Sequence, residues 1–210
     1  MEVEGETLIK AGSKVIAQID TLLSQRNHPI VVALDGGSGA GKSTLAAYIA
    51  EVLDATVIPL DDFFSADIPT AQWMQFTVEE KFARVFDWQH IRHQAVMPLL
   101  ERKPARWFAF DFESGIRPDG TYGLQTEASE REPADVILLD GAYSAAPQLV
   151  DLVDMAVLVD APVEVRHARL AVRENSEFLV AWHAMWDEVE SYYFTHVRPR
   201  GSFDLMAKLD

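Results

Sequence analysis

Nine residues, Gly36-Gly-Ser-Gly-Ala-Gly41-Lys42-Ser43-Thr44, constrain this chain more than any other stretch. They follow Ile30 to Leu34, a short apolar run bounded by Pro29 and the Asp35-Gly36-Gly37 turn, and they open a helical pattern from Lys42 to about Leu53. A buried strand that passes through such a loop into a helix brings successive N–H groups of Gly36, Gly37, Ser38, Gly39, Ala40 and Gly41 onto one anion at the positive helix end. The spacing is that of a phosphate loop. Lys42 then reaches the β- and γ-phosphates of a nucleotide, the Ser43 hydroxyl takes a magnesium position, and Thr44 completes the motif. The expectation is an open anion nest over residues 36–44; the plain alternative is a glycine-rich turn with no ligand.

Three further runs, Thr56 to Leu60, Val136 to Leu139 and Met155 to Val159, repeat the strand type, and each ends in an acid: Asp61, Asp140 and Asp160. Helical segments between them predict an α/β fold with a parallel sheet, whose ligands gather outside the carboxyl ends of the strands. A leading helix over 6–26 and a helix over 86–100, broken near Pro98, are expected. Residues 106–112 suit a strand, and 115–123 a hairpin or surface loop. Phe178, Trp182, Met185, Trp186, Val189, Tyr193 and Val197 recur at helical steps and read as a core stripe, with a base-stacking platform as the lesser reading. With 210 residues, about half of them apolar, the chain is expected to be a single domain over 1–210.

The 18 basic and 33 acidic residues leave a charge of −15, which argues against nucleic acid and anionic membrane as partners. No cysteine is present, so thiolate metal sites and disulfides are excluded. The first residues lack the pattern of a secretory signal, and cytoplasm is the expected compartment. A small-molecule partner is expected, and a homo-oligomer is left open.

Asp61-Asp62-Phe63-Phe64 and Asp140-Gly141 follow two of the strands. Beside a phosphate loop, one carboxylate can take the proton of an acceptor hydroxyl while another serves magnesium; as isolated pairs they would be ordinary turns. These residues resemble the uridine kinase family, and more broadly the P-loop kinases that include pantothenate kinase and phosphoribulokinase. The likeness rests on GGSGAGKSTLA from Gly36 to Ala46, Asp61 to Phe64, Phe86-Asp87, Phe110-Asp111-Phe112, Asp140-Gly141 and a series of arginines. It implies a three-layer P-loop fold with a mainly parallel five-stranded sheet, helices on both faces and a small lid near 162–180, where spacing alone gives four strands. It also implies ATP and Mg2+ as cofactors and a phosphotransferase acting on an alcohol group. Asp61 would be base and magnesium partner, although whether Asp61 or Asp62 is the base stays open, and Asp140 would stand where the family has Glu.

Arg166, Arg169 and Arg173 fall on one helical face. In the family such lid arginines close over nucleotide phosphates; the alternative is a solvated face paired with Glu164 and Glu174. Phe64, Asp111 and Phe112 are candidate acceptor contacts. Gly115 stands where the family has a base-reading His, and Arg84 where it has a ribose-holding Asp. Arg84 therefore suits an anionic acceptor such as pantothenate or a sugar acid, or simply pairs with Glu80. No Asn-Lys-x-Asp guanine reader is present, ATP versus GTP is open, and a P-loop ATPase switch acting on a protein is the rival of another class.

Overall fold

All four apolar runs form strands of one sheet, to which the C-terminal stretch adds a fifth. The computed structural model describes residues 2–173 and 177–209, with side chains over 5–172 and 185–209. In chain order, α1 (Glu2–Gln25) leads to β1 (Ile30–Asp35), α2 (Lys42–Leu53) and β2 (Thr56–Pro59). A 3-10 turn at Leu60–Phe63 precedes α3 (Thr70–Trp73), α4 (Val78–Arg84) and α5 (Trp88–His90), which runs through a π-helical stretch at Ile91–Val96 into α6 (Met97–Leu100). Short strands β3 (Ala105–Trp107), β4 (Phe110–Asp111), β5 (Gly123–Leu124) and β6 (Ser129–Arg131) follow. The chain then forms β7 (Val136–Asp140), β8 (Met155–Asp160), α7 (Val163–Arg173), α8 (Glu177–Tyr192) with a π-helical end at Tyr193–Val197, and β9 (Leu205–Lys208).

The sheet order is β2-β7-β1-β8-β9, and every neighbouring pair is parallel. Strands buried on both faces need apolar residues at every position, and β1 and β7 alternate which layer they serve. Ile30, Val32, Leu34, Val136 and Leu138 pack with Val15 and Ile19 of α1 and Leu45 and Ile49 of α2. Val31, Ile137 and Leu139 pack on the other face with Phe82 and Val85 of α4 and with Trp186, Val189 and Tyr193 at the end of α8. The aromatic stripe is therefore core over its described part; Phe178 and Trp182 lie outside the described side chains.

Two expectations change in detail. Residues 106–112 divide between two hairpins, since β3 pairs with β6 and β4 with β5, both antiparallel. The helix after Asp87 is not broken at Pro98, because a π-helical stretch precedes it and Pro98 enters a fresh turn where its missing N–H costs little.

Register brings Leu34 of β1 and Pro59 of β2 level with Asp140 of β7, so residues 35, 61 and 140 meet at the carboxyl edge around the central strand. Leu139 is fully buried in that arrangement. Leu139→Ala is expected to lower the unfolding free energy by about 2–5 kcal/mol in urea titration, with an unchanged m value.

Candidate active site

The loop between β1 and α2 turns through two glycines that no other residue could replace cheaply. Gly36 has φ +150°, and a Cβ there would lie 2.2 Å from the carbonyl oxygen of Val159 in β8. Gly39 has φ +77°, and its Cβ would lie 2.7 Å from the backbone oxygen of Arg166. Helix α2 then begins at Lys42 behind Gly41 without a side-chain cap, so its first amides face the loop. Ala40 is buried, while Ser43 and Thr44 are exposed on the first turn. The Lys42 ammonium folds back on its own loop, donating to the carbonyl oxygens of Gly36 at 2.9 Å and Gly37 at 3.1 Å.

Helix α7 lies over this loop. Arg166 donates to the Ser38 carbonyl oxygen at 2.9 Å, and Arg169 reaches those of Gly39, Ala40 and Leu209 at 3.4 Å each. Arg173 closes α7, but its side chain lies outside the described residues. The open-nest expectation is corrected at three amides: that of Gly36 donates to the Asp35 carboxylate at 2.7 Å, that of Ala40 to the Gly37 carbonyl oxygen at 3.1 Å, and that of Ser38 to a carboxylate of α8. The Ser38 N–H is engaged by the Glu190 carboxylate of α8 at 2.7 Å, and Glu190 also accepts from Arg166 at 2.9 Å. The physical reason is that the helix packing Val189 and Tyr193 into the core sets the intervening Glu190 at the loop's rim. A carboxylate standing on the Ser38 amide shows that this N–H can receive an anion.

Asp35, which the sequence showed only as a turn residue, is fully buried beneath the loop. One carboxylate oxygen accepts from the amides of Gly36 (2.7 Å) and Tyr143 (2.8 Å), the other from the Ala145 amide (3.0 Å) and the Tyr193 hydroxyl (2.6 Å). Burial pushes its pKa up, while the Tyr193, Ala145 and Gly36 donors and Lys42 oppose the shift and favour the charged form. Tyr143 is held at φ +65°, a strained backbone for an aromatic residue. The hydrogen bond its backbone N–H donates to Asp35 and its ring contacts with Phe82, Phe86 and Tyr193 hold it there.

The acids divide by environment. Asp61 is exposed at the end of β2, whereas Asp62 turns inward to accept the Trp107 indole N–H at 2.8 Å. Burial raises the Asp62 pKa, against the lowering effects of that bond and of Arg131. Asp140 is buried at the tip of β7. Phe64 bridges to Phe86, and its ring centre lies 5.8 Å from that of Phe110 and 5.9 Å from that of Phe112, a residue 52% exposed. Asp111 is committed to its own hairpin, accepting from the amides of Ser114 and Glu113, which lower its pKa, and from the Gln125 amide group. Arg84 stays on the surface of α4, donating to the Glu80 carbonyl at 3.4 Å with its guanidinium 4.8 Å from the Phe76 ring centre.

Residues 31–178 match the Phosphoribulokinase / Uridine kinase family. The chain belongs to this family. The uridine kinase of Latilactobacillus sakei is 28% identical over 182 residues, covering 85% of this chain and 80% of that one. A uridine kinase of Clostridium botulinum is 27% identical over 180 residues, covering 82% and 80%. Among solved structures, a candidate uridine kinase from Bacillus stearothermophilus superposes with a TM-score of 0.60 at 18% identity over 92% of this chain and 98% of that one, a likeness of fold. The protein is a P-loop kinase, a phosphotransferase of the class with an alcohol group as acceptor.

This kinase thus brings together the loop, Lys42, Arg166 and Arg169, and sets Asp61 and Asp140 at neighbouring strand tips; Arg84 and Asp111 are held by local contacts. Tyr143 and Glu190 escaped the reading of the sequence, and Asp35 and Tyr193 were read there only as turn and core. Only the Asp immediately before the glycine loop offered a local signal, and it is equally a turn signal. Tyr193→Phe removes one donor from a buried carboxylate and is expected to cost about 1.5–3 kcal/mol of stability, read by urea unfolding. Because Asp62 holds its proton to higher pH in the folded state than the unfolded value of 3.8, its contribution is greatest below that value and is lost as pH rises through the folded pKa. Asp62→Asn keeps an acceptor for the indole and is expected to reduce the fall in unfolding midpoint from acid to neutral pH.

Proposed function

We propose that this protein transfers the γ-phosphoryl group of ATP, with Mg2+, to a hydroxyl of a small soluble metabolite, a nucleoside or related ring compound, in the cytoplasm. The observation that carries the reading is the glycine loop at the tip of β1, with Lys42 behind it and carboxylates on the adjoining strand tips. Loop amides, Lys42 and the α7 arginines would hold the triphosphate. The Ser43 hydroxyl, Asp140 and Asp61 are the hard oxygen ligands that suit magnesium, which would offset charge on the transferring group. Among the described residues no three or more acidic or imidazole groups form a cage of their own. That fits a metal held by one or two carboxylates with substrate phosphates and water.

Asp61 orients the acceptor hydroxyl and takes its proton. Its exposure just past the tip of β2 favours it over the inward-turned Asp62. Rings of Phe64, Phe110 and Phe112 supply an apolar wall beside Asp61, which supports a flat or ring-bearing acceptor. Arg166 and Arg169 close the phosphate side against water, which would otherwise compete as acceptor.

Incubation with ATP–magnesium and a pool of nucleosides, pantothenate and sugar acids, read by mass spectrometry for a compound gaining one phosphate, identifies the acceptor. ATP turnover at full rate without any acceptor would replace this reading by an ATPase. With the acceptor in hand, Lys42→Ala is expected to lower kcat/KM by at least ~100-fold, and Asp61→Asn to lower kcat by ~100- to 10,000-fold with little change in nucleotide affinity. An Asp61→Asn enzyme of undiminished rate would move the base elsewhere.

A further inference from the structure

Helix α8 and its π-helical end touch the phosphate loop at two points of different character. Tyr193 donates to Asp35 at 2.6 Å in a fully buried contact, immediately before Gly36. One turn earlier, Glu190 accepts the Ser38 amide at 2.7 Å and Arg166 at 2.9 Å, and the two charged side chains retain 12% and 19% exposure. The pair lies directly over Gly37, where a Cβ would come within 2.4 Å of the Glu190 carboxylate and 2.1 Å of the Arg166 guanidinium. The first contact is fully buried, the second partly open to solvent.

We propose that Glu190 is an internal competitor for the phosphate loop, a latch that a polyphosphate must displace before Arg166 can serve it. The inference rests on the reading that this loop takes a polyphosphate. An amide N–H makes one good hydrogen bond, so an entering phosphate oxygen and the Glu190 carboxylate exclude each other at Ser38. They also repel as like charges. Arg166 is the balancing element: in the latched state it neutralises Glu190, and once the carboxylate swings out it faces the incoming anion without its charged partner, still held to the Ser38 carbonyl oxygen. The latch thereby ties nucleotide entry to rearrangement of α7 on the loop. Apparent affinity for the phosphate chain is then the intrinsic affinity multiplied by the unlatched fraction.

Isothermal titration of inorganic triphosphate without magnesium tests this on the full chain, comparing wild type with Glu190→Gln, Glu190→Asp and Lys42→Ala. The latch predicts that both Glu190 variants bind at least about fivefold more tightly than wild type, because each loses the simultaneous grip on Ser38 and Arg166. Glu190→Asp keeps the charge with a shorter reach, so it separates a latch from general repulsion. If only Glu190→Gln gains affinity, or neither does, the latch is overturned. If wild type binds, Lys42→Ala does not and the Glu190 variants are unchanged, the phosphate-loop reading stands without the latch. Absence of binding by all four proteins removes that reading and the latch together. Unfolding midpoints accompany each titration, and Glu190 variants that cannot fold would make the residue a folding requirement, which also overturns the proposal.

Discussion

A single buried carboxylate holds the working edge of this kinase together. Asp35 ends the central strand, and its two oxygens receive four donors drawn from three places in the chain: Gly36 at the loop, Tyr143 and Ala145 after Asp140, and Tyr193 at the end of α8. An ionised carboxyl group in the interior is costly unless its lone pairs are satisfied, and here they are. The glycine loop, the turn that follows β7 and the helix that carries Glu190 are thereby fixed to one point.

Around that point the parallel sheet does the positioning. Its register sets the ends of β1, β2 and β7 side by side, so acids at a strand's last residue, as Asp35 and Asp140, or two beyond it, as Asp61, gather at one edge without any long side chain reaching for it. The helical layers lock the strands by burial, and the two cores meet the sheet through alternate residues of β1 and β7. Catalytic placement is therefore a consequence of packing far from the reacting atoms.

Much of this was legible in the sequence because its signals are local. The loop from Gly36 to Thr44 announces its own geometry, and the apolar runs of β1, β2, β7 and β8 are the pattern of strands covered on both faces. What escaped was long-range or ambiguous. Leu205–Lys208 has no β-branched residue, and it becomes a strand only because the edge of β8 stands ready to pair with it. Glu190 lies far along the chain from Ser38, between residues of a stripe whose pattern speaks of core. Asp35 is indistinguishable from a turn residue until Tyr143, Ala145 and Tyr193 are seen around it. Arg84 and Asp111 show the converse: charged side chains in suggestive positions whose bonds are to their own helix and turn.

Amide hydrogen exchange along the chain, with and without ATP–magnesium, tests the central claim that the loop amides grip a triphosphate at the sheet's carboxyl edge. The account predicts slowed exchange concentrated in residues 36–44 and in α7, with β3 and β6 unaffected. Unchanged exchange across 36–44 at nucleotide concentrations that the protein demonstrably binds would contradict it.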